Sequence, residues 1–328
     1  MKTNSQSLLV KDLLNQWGKE RTPFAFLIDF ECNKPLCWKL EDQTDEFKFN
    51  FQGFTNSPTA STSRMPSANA SIDFAPSPIS LDAYKIKFNK VKREIEYGNS
   101  FLVNLTIETP VTTNYTLEQL FTNANAKYTC WLKDVFVCFS PETFVQIKNG
   151  EIFSYPMKGT IDASIPNAES LLLNDVKEIA EHATIVDLIR NDLSKVAANV
   201  KVDKFRFYEK IETQNGMLGQ VSSEISGNLH ANYTNHIGDI LFDLLPAGSI
   251  CGAPKAETEK IIFDAEQVAR GYYTGIAGYF DGENLDSCVL IRYLQQNNIY
   301  RSGGGITFQS EATKEYQEMI EKVYVPIF

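Results

Sequence analysis

Phe136-Val-Cys-Phe139 and Phe144-Val-Gln-Ile147 are two apolar runs of strand length, separated only by Ser140-Pro-Glu-Thr143. A parallel partner would need a crossover of a dozen or more residues, so runs this close favour antiparallel pairing. Working outward, residues 23–30 (PFAFLIDF), 101–106, 273–279 and 288–294 read as further strands. Residues 117–127, 168–196, 234–245, 255–269 and 312–325 read as helices. Residues 81–97 set Tyr84, Phe88, Val91 and Ile95 on one helical face, and Gly98 supplies the stop. The serine- and proline-rich stretch 56–80 lacks periodicity and reads as a long loop. Helices interspersed with strands that follow one another directly predict a mixed α/β (α+β) fold, built on antiparallel sheet rather than on repeated βαβ units.

Composition limits what such a fold can do. The chain has 328 residues, 43% hydrophobic and 12% aromatic, enough for a substantial globular core. Residues 1–20 are polar and charged, without a secretion signal's apolar segment, and no apolar run is long enough to span a bilayer. A soluble, cytoplasmic protein with no membrane partner is expected. The net charge of −10, with no basic stripe to neutralise phosphates, argues against a nucleic-acid partner. An anionic ligand would therefore need locally placed cations or a bound metal. Six cysteines without a C-x-x-C pair, and only three histidines, argue against zinc and for reduced, buried thiols.

Several short constellations could carry chemistry. Pro156-Met-Lys-Gly-Thr160 follows an apolar segment and sets an amine beside a flexible glycine and a hydroxyl. Lys158 could serve there as a nucleophile or a charge clamp, although most lysines are solvated surface residues. Glu178 and Glu181 stand at i, i+3 in one predicted helix, and Glu315 and Glu318 in another, so each pair shares a helical face. Carboxylates converging from two helices suit Mg²⁺. Lys322, four residues after Glu318, equally permits a plain salt bridge on a solvated face. Gly248-Ser-Ile-Cys-Gly-Ala-Pro-Lys255 is a glycine-rich loop with Pro254 at the start of a helix. It could offer backbone N–H groups to an anion, but it lacks the Gly-Lys-Ser/Thr ending of a Walker A loop. Gly303, Gly304 and Gly305 allow close backbone approach to a ligand, or mark a bulge or tight turn. Arg292, after Val289-Leu290-Ile291, offers a carboxylate fork or a strand end reaching solvent.

Together and in this order, these elements resemble the chorismate-binding enzyme family: anthranilate synthase component I, aminodeoxychorismate synthase component I, and the isochorismate and salicylate synthases. The resemblance is carried by Gly98-Asn-Ser-Phe-Leu-Val-Asn-Leu-Thr106, Ser140-Pro-Glu-Thr-Phe144, Pro156-Met-Lys-Gly-Thr160 and Glu181-His-Ala-Thr-Ile-Val-Asp-Leu-Ile-Arg-Asn-Asp-Leu193. It continues through Pro246-Ala-Gly-Ser-Ile-Cys-Gly-Ala-Pro-Lys255, Tyr273-Thr-Gly-Ile-Ala-Gly-Tyr279, Val289-Leu-Ile-Arg292, Gly303-Gly-Gly-Ile306 and Glu315-Tyr-Gln-Glu-Met-Ile-Glu-Lys322.

The resemblance implies a large antiparallel β-sheet sandwich with helices packed outside. Residues 1–79 would be a short N-terminal part of that fold, and 80–328 the chorismate-binding catalytic domain. It implies Mg²⁺ held by Glu181 and Glu318, with Glu178 and Glu315 in the same acidic cluster. Arg292, Lys322, Tyr273, Thr160 and the backbone of Gly303 and Gly305 match positions that hold the carboxylates of chorismate, with Gly159 and Gly304 beside them. Glu142 matches a general acid that protonates the departing C4 hydroxyl, a role that calls for a raised pKa.

Within the family, the resemblance separates branches at two positions. Isochorismate-forming members carry a lysine base where this chain has Leu102, and leucine cannot activate water. Anthranilate synthases usually have alanine where this chain has Lys158. In aminodeoxychorismate synthases that lysine attacks C2, and ammonia then enters at C4. Conversion of chorismate and ammonia to 4-amino-4-deoxychorismate, a step toward 4-aminobenzoate and folate, is therefore the expected reaction. Anthranilate formation and a degenerate, non-catalytic chorismate binder are the alternatives. Three positions depart from the common pattern. Gln220 stands where many members have a histidine implicated in pyruvate elimination, and an amide transfers no protons at neutral pH. Thr143 replaces a common arginine and Cys251 a common threonine. The short region before residue 80 implies no tryptophan site, and the lack of a glutaminase motif implies a separate glutamine amidotransferase subunit as the ammonia source.

Overall fold

The computed structural model describes residues 4–57, 73–213 and 216–327. The chain opens with helix α1 (Ser5–Lys19) and strands β1 (Phe24–Ile28), β2 (Leu36–Lys39), β3 (Phe47–Phe51), β4 (Phe54–Thr55) and β5 (Phe74–Pro76). Helix α2 (Leu81–Glu96), the long strand β6 (Leu102–Thr113) and α3 (Leu117–Asn123) come next. Five strands follow: β7 (Tyr128–Leu132), β8 (Phe136–Ser140), β9 (Thr143–Lys148), β10 (Glu151–Ser154) and β11 (Met157–Asp162). Helices α4 (Ala168–Asn174) and α5 (Val176–Leu193) precede a long hairpin of β12 (Ala198–Thr213) and β13 (Gly216–Asn228). The rest comprises α6 (Ile237–Leu244), a helical turn α7 (Gly248–Cys251), β14 (Gly252–Ala253) and α8 (Lys255–Glu266). It closes with β15 (Ile276–Phe280), β16 (Leu285–Val289), β17 (Tyr293–Gln295), β18 (Ile299–Ile306) and α9 (Ala312–Glu321).

Among the described residues these strands form two antiparallel sheets. One runs β11-β13-β10-β9-β16-β15-β1-β2, with β12 on β13; the other runs β14-β6-β18-β17-β8-β7-β3-β4, with β5 on β6. A core of Ala25, Leu27, Phe49, Cys138, Ala277 and Cys288 draws on both sheets and lies between them. Strand β1 shows how the layers share one sequence. Its odd members Ala25 and Leu27 enter that inter-sheet core, while Phe24, Phe26 and Ile28 join a second core under α1, α5, α6 and α8. All five residues are buried, which is why this strand reads as an unbroken apolar run. Each fully buried phenylalanine there contributes about 2 kcal/mol. The sandwich with helices outside is the expected architecture.

The structure corrects several sequence-based boundaries. The predicted 168–196 helix is two, because Asp175 leaves helical geometry and its carboxylate caps α5 by accepting from Glu178 N at 2.9 Å. The predicted 288–294 strand is also two. β16 lies in one sheet and β17 in the other, and Arg292 turns the corner in the left-handed region at φ 53°. The opening pair behaves the same way: β8 and β9 do not pair with each other but belong to different sheets, with Pro141 and Glu142 at the crossing. The two crossings are stitched together, Phe139 N donating to Arg292 O at 3.0 Å and Val289 N to Glu142 O at 3.1 Å. The residue run 273–279 begins its strand only at Ile276. Residues 58–72 of the expected 56–80 loop lie outside the described residues.

Candidate active site

The site forms around a strand edge. Strand β18 pairs with β6 along its whole length, but with β17 only at Tyr293↔Arg301 and Leu294↔Tyr300. Beyond Arg301 the second edge, at Gly303 to Gly305, is therefore left to other groups. Lys322 Nζ donates there to Gly303 O at 2.9 Å and to Glu318 Oε1 at 2.6 Å, the latter being the anticipated i, i+4 pair. A Cβ at position 304 would lie 3.3 Å from Glu318 Oε1 and 3.4 Å from Glu315 Oε2. At position 305 it would lie 2.9 Å from Leu102 Cδ1 and 3.2 Å from Lys158 Nζ. Glycine is what lets these side chains close on the backbone.

Lys158 reaches this edge from the other sheet by way of a bulge. The β11–β13 register shifts between Met157↔Ser222 and Thr160↔Gln220, and Gly159 takes φ 79°. A bulge of this kind bends the strand and re-aims a side chain. A Cβ on Gly159 would stand 2.8 Å from Glu178 Oε2, so the glycine also admits α5. The Lys158 ammonium lies 3.8 Å from Glu181 Oε2. The sequence placed Lys158, Glu181 and Gly305 in three separate motifs; the fold brings them within one neighbourhood.

Glu142 sits at the crossing between β8 and β9. Burial raises its pKa, opposed by a short hydrogen bond from the Ser249 hydroxyl and by the charges of Lys158, Arg292 and Lys322. Burial lowers the pKa of Lys322, with the Glu318 carboxylate opposing that shift. Tyr273 is buried and its phenol is pushed up to about 12 by that burial, which keeps it a neutral donor. The Arg292 guanidinium packs over the Tyr324 ring at 5.3 Å, and its Nε is buried without a partner among the described residues. A buried, unpaired donor of that kind is what an anionic ligand would satisfy.

The remaining expected residues fall less centrally. Thr160 is exposed on β11. Gln220, buried opposite it, spends its amide on Met157 Sδ at 3.1 Å and Ser222 Oγ at 3.2 Å. Thr143 accepts from Lys127 Nζ at 2.9 Å. Cys251 is buried in α7 within the helix-side core. In the glycine-rich loop, Lys255 is bound to Asp192 at 2.5 Å and to Leu244 O at 2.8 Å, and Ser249 serves Glu142. Sequence reasoning missed Ser249, Tyr324 and His182. His182 lies one residue beyond Glu181, is 1% exposed, and has its pKa pulled down to about 4 by burial, with the Arg206 and Lys158 charges next. Its one available signal was the rarity of histidine in the chain.

The four carboxylates come from α5 and α9, as the spacing anticipates. Among the described residues no three acidic, histidine or cysteine side chains are grouped tightly enough to hold a metal unaided. Mg²⁺ usually takes one or two carboxylates and completes its shell with water and substrate oxygens. Hard oxygen donors on two helices, closing on a glycine edge beside three cationic side chains, fit that ion and an anionic substrate.

An "Uncharacterized PabA-like protein" of Haemophilus influenzae is 51% identical over 317 residues, covering 95% of each chain. Aminodeoxychorismate synthase component 1 of Klebsiella aerogenes is 33% identical over 264 residues, 75% of this chain and 57% of that one. The menaquinone-specific isochorismate synthase MenF from Escherichia coli matches in structure with a TM-score of 0.72, over 98% of this chain and 82% of that one, at 15% identity. That last likeness is one of fold alone. No helix of the described residues is long and apolar enough to cross a membrane. Residues 21–327 match the family described as chorismate binding enzyme, and the chain belongs to that family of chorismate-utilising enzymes.

Proposed function

We propose that this protein converts chorismate and ammonia to 4-amino-4-deoxychorismate and water, as the first component of an aminodeoxychorismate synthase. The observation that carries this reading is the Lys158 amine, aimed by the β11 bulge at Gly305 and facing Leu102, with the Glu142 acid in the same field of charges. Leu102 offers no base to activate water at that point, so the amine is the only basic group of that pair. The 33% identity to a component 1 enzyme supports the same reaction class.

In this reading the Lys158 amine, neutral at the moment of attack, bonds to C2 as the ring double bonds shift and the C4–oxygen bond breaks. Glu142, whose pKa burial raises, donates its proton so that the hydroxyl leaves as water. Ammonia then bonds to C4, the double bonds shift back, and the C2–nitrogen bond breaks to return Lys158. The ammonium formed at C4 gives a proton to the Glu142 carboxylate. Arg292, Tyr273, Lys322 and the backbone of Gly303 and Gly305 bind and orient the substrate carboxylates. Glu181 and Glu318, with Glu178 and Glu315 beside them, would hold Mg²⁺, which when bound supplies positive charge to a substrate carboxylate. Gln220, with its amide committed within the sheet, has no proton to give for pyruvate loss. Ammonia would come from a separate glutamine amidotransferase subunit.

The test is a product assay with chorismate, Mg²⁺ and ammonium. The expected result is 4-aminobenzoate only after an aminodeoxychorismate lyase is added. Fluorescent anthranilate without the lyase would overturn the reading.

A further inference from the structure

A general acid must be aimed as well as protonated, and Ser249 is in place to aim Glu142. The Glu142 backbone is fixed at the sheet crossing, its N donating to Ser140 Oγ at 3.1 Å and its O accepting from Val289 N at 3.1 Å. Four cations act on its carboxyl group: Lys158 on β11, Arg292 at the second crossing, Lys322 after α9 and Lys127 before β7. Glu142 also borders a cavity that none of these cations lines. It measures about 30 Å³, room for a water or two, and is walled by Phe144, Ile189, Leu193 and Leu244. Asp192 and Tyr155 line it as well, the former held by Lys255 at 2.5 Å and Lys195 at 2.8 Å. Ser249 completes the wall. Among the described residues its hydroxyl is the one side-chain group that donates to the Glu142 carboxyl, at Oε1.

That hydroxyl is itself held in place. Ser249 belongs to α7, whose Ile250 O accepts from Arg270 Nη1 at 2.9 Å, and the buried Arg270 is paired with Glu266 at 2.6 Å. A Cβ at Gly248 would lie 3.0 Å from Leu188 Cδ2 and 3.1 Å from Asp192 Oδ2, so α7 closes directly on α5. A carboxyl oxygen that accepts from a fixed hydroxyl plays the carbonyl part of the acid, which leaves the proton to the other oxygen.

We propose that Ser249 is a positioning residue for Glu142: by donating to Oε1 it keeps the carboxyl group out of the cavity and turns Oε2, with the acid proton, towards the substrate. The inference rests on the reading of Glu142 as the acid, but its first test needs no turnover. The titration of Glu142 is followed by infrared spectroscopy of protein carrying isotope-labelled glutamate, its carboxyl band assigned by loss in Glu142→Gln. A hydroxyl donating to a carboxylate favours the charged form, so Ser249→Ala should move the Glu142 titration to higher pH. Ser249→Thr, which keeps the hydroxyl, should return it to the wild-type position.

Ser249→Ala should also lower kcat for chorismate consumption by about tenfold, with KM within about twofold of wild type. The substitution removes one oxygen and leaves the backbone hydrogen bonds of α7 in place. An unmoved Glu142 titration in Ser249→Ala overturns the proposal, as does a shift that Ser249→Thr does not reverse or a kcat equal to wild type. A wrong product in the assay above leaves the titration standing, and an unmoved titration leaves the product assignment untouched.

Discussion

Two lysines meet at the glycine edge and are held in opposite ways. Lys322 is anchored twice, to Glu318 at 2.6 Å and to Gly303 O at 2.9 Å, and belongs to the same end of the chain as its partners. Lys158 arrives from the other sheet on a bulge and meets Glu181 only at 3.8 Å, beyond hydrogen-bond length. A lysine whose hydrogens are committed to two fixed acceptors is held in place as a clamp. One in a loose ion pair keeps the freedom to reach a substrate atom. In the proposed reaction, the difference between clamp and reactant would lie in anchoring rather than in residue type.

The sharpest way to break this comparison is to remove each lysine in turn. Lys158→Ala should lower kcat by about a thousandfold or more with KM changed little, whereas Lys322→Ala should act chiefly by raising KM. Steady-state chorismate consumption separates the two, and equal kcat losses would erase the distinction. Next comes the acid that both lysines face. Glu142→Gln should cost about 10² to 10⁴ in kcat. Because burial raises the Glu142 pKa, wild-type kcat should hold below that pKa and fall as pH climbs through it. The variant's profile should lack this alkaline fall.

Crowding the approach of Lys158 is a milder perturbation. Gly305→Ala would put a methyl 2.9 Å from Leu102 Cδ1 and 3.2 Å from Lys158 Nζ, and we expect kcat to drop by about tenfold to a hundredfold. The smallest effect on turnover is expected from a third lysine, whose role is structural. Lys255 and Asp192 form a buried pair at 2.5 Å joining α8 to α5. Asp192 keeps a second partner, Lys195 at 2.8 Å, so Lys255→Met should destabilise the protein by about 2 kcal/mol, read by chemical denaturation, while the product stays the same.

Legibility in the sequence followed how local each signal was. The apolar face of α2, with Tyr84, Phe88, Val91 and Ile95 all buried, could be read directly because one period of 3.6 decides it. The β12–β13 hairpin could not. The outer strand β12 carries Lys201, Asp203, Lys204 and Arg206 at a sheet edge, where charge protects against stray pairing and hides the two-residue period. The acidic pairs were visible from spacing, and the motifs from family resemblance. What stayed hidden was the pair of sheet crossings at Glu142 and Arg292. Nothing in an apolar run says that its halves will join different sheets, yet those crossings put an acid and a guanidinium side by side. His182 and Ser249 were equally silent, since their hydrogen-bond partners, Ser223 and Glu142, are distant in sequence.

The account turns on whether Lys158 bonds to its substrate. The direct measurement is rapid quenching of the protein with chorismate and Mg²⁺ in the absence of ammonia, followed by peptide mass mapping. We expect the peptide containing Lys158 to gain the mass of chorismate less water, and to lose it when ammonium is added before the quench. Full turnover with ammonium and no such adduct at any time point would contradict the account.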